Sequence, residues 1–226
     1  MDFITSMTTA FSSGGMWMWF ILGLQIVAIA IIIERYFALY IKRQPTQKAK
    51  VKDFETAIRK GELENVYQTC SSQQLPITRT VAAGTQAAMN MGGKDEIQGR
   101  MEEVLMEENE QVEKRTSFLA MIANVATLAG LLGTITGMIK SFAAVSNANP
   151  MEKATLLSTG ISEAMNTTAF GLVVAIPTLL VYSVLMNRQQ ALTEDLNQAA
   201  LKAYNWLSYS FNPLENRPTT TNQQNR

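Results

Sequence analysis

The chain is predicted to be an all-α integral membrane protein, with three transmembrane helices carrying long cytoplasmic helical extensions. Three observations predict this. Residues 16–33, MWMWFILGLQIVAIAIII, form 18 positions whose only strongly polar member is Gln25. Residues 117–139 and 164–186 are further apolar stretches, near the ~20 residues that cross a hydrocarbon core. The charged sequence between and after the spans repeats its apolar positions at helical spacing.

Each element follows in order. Residues 1–15 contain no Lys or Arg, and no A-x-A-like site closes the apolar run behind them. The run at 16–33 is therefore expected to stay as the first span and not to be cut as a signal peptide. Of the 19 Lys and Arg, 13 lie in residues 34–116, and the short loop 147–158 has only Lys153. The positive-inside rule places 34–116 and the C-terminus in the cytoplasm, and 1–15 and 147–158 outside. Within 34–116, VKDFETAIRKGELENVYQTC predicts two short helices broken at Gly61, and Pro76 opens another that Gly92-Gly93 ends.

From Lys94 no breaker precedes the second span, 117–146. One unbroken helix over 94–145 is expected, roughly 75 Å long. The third span, 159–187, continues as a cytoplasmic helix over 188–211 despite Pro177, where a kink is expected. Two antiparallel helices joined at NANP, 147–150, thus make a stalk whose apolar positions call for self-assembly. The tail 212–226, poor in apolar residues, is expected to be disordered.

Several chemistries drop out early. The formal net charge is zero, which gives no electrostatic case for nucleic acid, and with one cysteine and no histidine neither an intrachain disulfide nor a zinc site is expected. No nucleophile–base pair, metal-ligand set or phosphate loop suggests an enzyme, and no cofactor is expected.

The two later spans carry faces of small residues. Ala123, Ala126, Gly130, Gly133 and Gly137 share one face of the second span; Gly160, Ala164, Thr168, Gly171 and Ala175 do nearly the same in the third. Small residues at this spacing let membrane helices approach closely, so Gly130, Gly133, Gly137 and Gly171 are read as packing positions. Asn124, Thr127, Thr134 and Ser141 form a neighbouring stripe expected to face water or polar partners, with Asn166 and Thr167 adding polar lining from the third span.

Glu163 stands out, because ionisable residues inside a membrane are costly and usually face a cavity or partner. If the hairpin turns near position 148.5, residues whose numbers sum to 297, such as Thr134 and Glu163, lie at equal depth. Thr134, Glu163 and Thr168 are then expected to cluster within the membrane and not at its rim. Lys140 is expected to snorkel outwards.

GLLGTITGMIKSF, followed by GISEAMNTTAFGLVVAIPTLLVY, resembles the paired signature of the MotA/TolQ/ExbB proton channel family, most of all its ExbB/TolQ branch. The resemblance implies a homopentamer enclosing a dimer of a single-span ExbD/TolR-like partner, which supplies the membrane aspartate for proton passage. It implies an inner-membrane energy transducer working on envelope or outer-membrane processes, with a TonB-like protein as a further candidate partner. By position it associates the Thr of GLLGT, the Glu of ISEA and the second Thr of NTTA, here Thr134, Glu163 and Thr168, with the ion path or its coupling. Thr127 stands where many relatives have proline, which keeps Na+ open as the alternative to H+. A non-conducting membrane scaffold is the competing reading, and it leaves Glu163 unexplained.

Overall fold

The computed structural model describes residues 15–42, 47–73, 75–146 and 148–211. The expectations for the N-terminal tail up to residue 14 and for 212–226 lie outside the described residues. Among the described residues seven α-helices follow in order: α1 (Gly15–Tyr36), α2 (Gln47–Lys60), α3 (Leu63–Ser71), α4 (Pro76–Met89), α5 (Lys94–Glu113), α6 (Thr116–Ser146) and α7 (Pro150–Phe211). A π-helical stretch, Phe37–Lys42, prolongs α1. The described residues are helical with short turns, and three helices are long and apolar enough to cross a membrane.

The chain divides into two compact units, one holding residues up to Ile41 with Lys114–Asn187, the other Lys42–Glu113 with the chain from Arg188 onward. The first unit contains α1, α6 and the first part of α7. On α1 only Met18, Ile21, Ala28 and Arg35 are buried, a narrow stripe of one helix face. Ile21 packs with Ala126, Ala129 and Val174, flanked by Trp17, Leu24 and Phe170. Large apolar side chains such as Trp19, Ile26, Leu128 and Leu180 are exposed, as expected where lipid or neighbouring helices take the place of water.

In the second unit α2–α5 and the end of α7 surround one apolar core. Val51, Phe54 and Ile58 of α2, Val66 of α3, Ile77 and Val81 of α4, and Ile97 and Met101 of α5 meet Leu196, Ala199, Ala203 and Leu207 of α7. The α7 positions recur at three and four residues, one stripe of a helix. Pro76 opens α4 as foreseen, and the buried Thr78 fixes that start: Leu75 N–H donates to Thr78 Oγ1 at 3.2 Å. Cys70 is also in this core, and burial pushes its thiol up to about 12. It stays protonated near neutral pH, an apolar filler and not a nucleophile.

Helix ends show where local chemistry was and was not legible. After α2, Gly61 (φ +77°) donates to Ile58 O at 3.1 Å and Glu62 to Ala57 O at 3.1 Å, the paired bonds of a Schellman end. The same pair closes α4, from Met91 to Ala88 O and from Gly92 to Ala87 O, but the left-handed residue is Met91, at φ +58°. A side chain in that conformation costs about 1 kcal/mol or more. Met91→Gly is therefore expected to stabilise the second unit by roughly 1 kcal/mol, read as a raised thermal midpoint of the purified protein.

Two expectations about the long helices fare differently. α7 does run uninterrupted through Pro177 to Phe211. The unbroken 94–145 helix is not found: α5 stops at Glu113 and α6 starts at Thr116, with Arg115 at φ +66° between them. Arg115 donates to Glu34 Oε2 of α1 at 2.7 Å. The pair ties this break to α1, and no breaker residue announces it.

Candidate functional site

The α6/α7 hairpin is built on the predicted small residues. Gly130, Gly133, Gly137 and Gly171 are all buried. A Cβ placed on Gly171 would lie 2.8 Å from Ala126 O and 3.2 Å from Gly130 Cα, and one on Gly130 would lie 3.2 Å from Thr168 Cα. Backbone meets backbone here. Further along, Gly137 faces Ala164, Gly133 faces the Thr167 methyl, and Gly160 faces Ser141.

These facing pairs fix the register. Their residue numbers sum to between 297 and 301, and the two pairs nearest Glu163, Gly137 with Ala164 and Ser141 with Gly160, both sum to 301, so the equal-depth pairing of Thr134 with Glu163 does not hold. Beside the Gly137–Ala164 contact Glu163 is level with Met138, which is four residues, or about 6 Å, nearer the bend than Thr134. The fit of small side chains sets the register, and the midpoint of the loop does not.

The hydroxyls are mostly satisfied within their own helices, as membrane Ser and Thr commonly are. Thr127 donates to Ala123 O at 3.1 Å, Thr134 to Leu131 O at 2.6 Å, Ser141 to Gly137 O at 2.8 Å and Thr167 to Glu163 O at 2.9 Å. Thr168 reaches across instead: its Oγ1 donates to Gly130 O of α6 at 2.8 Å. That bond sits where the two backbones are closest.

The predicted stripe of Asn124, Thr127, Thr134 and Ser141 is not one surface. Ser141 is buried in the seam, Thr127 and Thr134 are half-buried at its edge, and Asn124 is exposed. Residues seven apart drift by ~20° on a straight helix, enough to carry the stripe from the edge into the contact. Thr167 is buried and Asn166 half-buried.

Thr134 and Thr168 each follow a residue of the Gly133–Thr167 contact, and one step along each of two antiparallel helices turns both side chains to the same flank. Glu163 is on the other side. It precedes Thr168 by five residues, about 140° round the helix, and its Oε1 lies where a side chain on Gly15 would have to go. The expected cluster of three is thus two threonines on one flank and a carboxylate against α1. Gly15 was not legible as a site residue, since only a Gly-Gly pair at the end of a polar tail marks it. Lys140 is exposed, and among the described residues no ion pair joins it to Glu163.

Residues 72–198 match the model of the MotA/TolQ/ExbB proton channel family. The chain belongs to this family. It is 37% identical over 117 residues to the Tol-Pal system protein TolQ of Haemophilus influenzae, covering 51% of this chain and 45% of that one. It is 30% identical over 179 residues to the putative biopolymer transport protein ExbB-like 3 of Synechocystis, covering 77% of this chain and 84% of that one. The match to the TolQ relative thus spans less than half of that protein's length. The fold resembles a chain in the structure of C. jejuni MotAB, with a TM-score of 0.50 and 16% identity over 97% of this chain and 84% of that one.

Proposed function

We propose that this chain is the multi-span subunit of an inner-membrane energy transducer that conducts protons and couples their flow to mechanical work on envelope or outer-membrane processes. It works as a homopentamer around a dimer of a single-span ExbD/TolR-like partner, with 34–116 and the C-terminus in the cytoplasm. A TonB-like or other envelope protein receives the work, no cofactor is required, and Na+ is the second choice of ion.

One observation carries the reading: the seam where Thr168 bonds Gly130 O, with Thr134 on the same flank, within the segment matched to the proton channel family. The seam holds the hairpin as one body, so the working step is a motion of this chain relative to its partner. A unit charge crossing 100 mV releases roughly 2.3 kcal/mol, enough to bias such a step. The partner supplies the aspartate, since none lies in the three spans of this chain.

The test is ion flux, followed with a pH-sensitive dye in proteoliposomes holding this chain and its co-purifying single-span partner. Flux is expected only with both chains, falling several-fold in Thr134→Val and Thr168→Val. An intact complex with no flux under an imposed potential would leave the scaffold reading instead.

A further inference from the structure

We propose that the groove between α5 and the end of α7 receives a second copy of this chain, which presents Tyr209 to it and sets Arg59 of its α2 against Glu102 on the rim. This rests on the homo-oligomeric reading above and names the surfaces that meet beyond the spans.

Met101, Glu102 and Leu105 of α5 line the groove with Ala200, Leu201 and Tyr204 of α7, around a volume of about 290 Å³. Leu201 is 60% exposed, although it lies about 21 Å along α7 past the third span, where lipid does not cover it. An apolar face left open in water marks a contact surface. Charge says what fills it. α5 carries eight Asp and Glu against two Lys and Arg, whereas α2 carries five Lys and Arg against two Asp and Glu. Two copies of the acidic surface repel each other, so its partner surface is a different and basic one. Lys52 and Arg59 of α2 are both exposed, and at seven residues apart they share one helix face, away from the buried Val51, Phe54 and Ile58. Arg59 donates to Glu55 of its own helix at 2.9 Å, an exposed pair that holds it only weakly. On the groove side Glu102 accepts from Gln98 at 2.6 Å and stays exposed.

The basic surface has an apolar tip of its own. Arg59 shares a small cleft with Asn205, Trp206 and Tyr209 at the end of α7, and Tyr209 is 58% exposed. Trp206 follows Tyr204 by two residues, about 200° round the helix. The two surfaces therefore stand on opposite flanks of α7, with Ala203 and Leu207 of the core between them. The neighbouring helices agree, since α5 packs on α4 while α2 packs on α3 and α4, which puts the acidic and the basic helix at different edges of this unit. Unlike surfaces at two edges join head to tail, the arrangement that can close into a ring.

The experiment uses the full chain with its co-purifying single-span partner, assembled from two differently tagged copies in a Cys70→Ala background. One copy carries Leu201→Cys and the other Tyr209→Cys, both at exposed positions, and a short bifunctional maleimide reports whether they meet. A doubly tagged product is expected at about five times the yield of mixtures in which both copies carry the same cysteine. Glu102→Lys and Arg59→Glu, each placed in both copies, are expected to lower that yield about fivefold, and the two together to restore more than about half of it, because the pair is reversed and not lost. Native mass spectrometry of the same samples counts the copies. No doubly tagged product from a complex of several copies would overturn the proposal, as would a yield that neither reversal changes or that the combined variant fails to recover. Leu201→Cys joined to the single-span chain instead would overturn it too. A doubly tagged product from a complex of other than five copies would count against the pentamer alone, and a chain present in single copy would count against both.

Discussion

Gly171→Leu is expected to take the α6/α7 hairpin apart and to abolish flux. The physical reason is where the new atoms would go. Even a Cβ at position 171 would stand 2.8 Å from Ala126 O and 3.2 Å from Gly130 Cα, and backbone atoms within helices cannot rotate aside as a side chain could. Overpacking by extra methylenes costs typically 1–3 kcal/mol, and here about 3 kcal/mol is expected because the helices must separate. Separation would also break the Thr168–Gly130 bond of 2.8 Å, whose kind contributes about 0.6 kcal/mol on average in membranes. Gly23→Leu is the control, because nothing lies within 4 Å of a Cβ there. Thermal melting of the detergent-purified complex checks this: the Gly171 variant should melt early or fail to assemble, and the Gly23 variant should match wild type. Equal melting of both would mean the helices do not cross at Gly171.

Leu207→Ala should produce a comparably large loss in the other unit. Leu207 is 0% exposed and closes a core to which α2, α3, α4 and α5 all contribute. Removing such a side chain costs about 2–5 kcal/mol, depending on how far the surroundings collapse. Met101 is a flexible neighbour in the same cluster and can fill part of the gap, which places the expectation near 3 kcal/mol. The check is limited proteolysis with urea titration, following cleavage within 42–113. That segment should become sensitive at lower urea, while the fragments carrying α1 and the α6/α7 hairpin stay with the membrane. Unchanged sensitivity would show that the end of α7 is not needed to hold this core.

Much of the architecture was legible because it depends on composition over many residues. The three apolar stretches, the break at Gly61 and the start at Pro76 each follow from local chemistry that no distant contact reverses. The break before α6 was illegible for the opposite reason: Arg115 takes a left-handed conformation while its side chain reaches Glu34, a residue of another helix. Met91 is similar, since it fills a position that Gly61 fills in the earlier helix end, and nothing in its own side chain asks for it.

By itself the sequence determined that helices would form, which of them could enter a membrane, and that Gly130, Gly133, Gly137 and Gly171 would be contact points. Such properties reside in side-chain size, hydropathy and backbone freedom. Only the tertiary structure decided that the hairpin register beside Glu163 is four residues away from the pairing expected about the loop midpoint, that Ser141 turns into the seam, and that Glu163 lies against Gly15 and not level with Thr134. Register and flank are fixed where surfaces from distant parts of the chain fit, and a rotation of one residue, about 100° on a helix, is enough to move a polar group from one flank to the other.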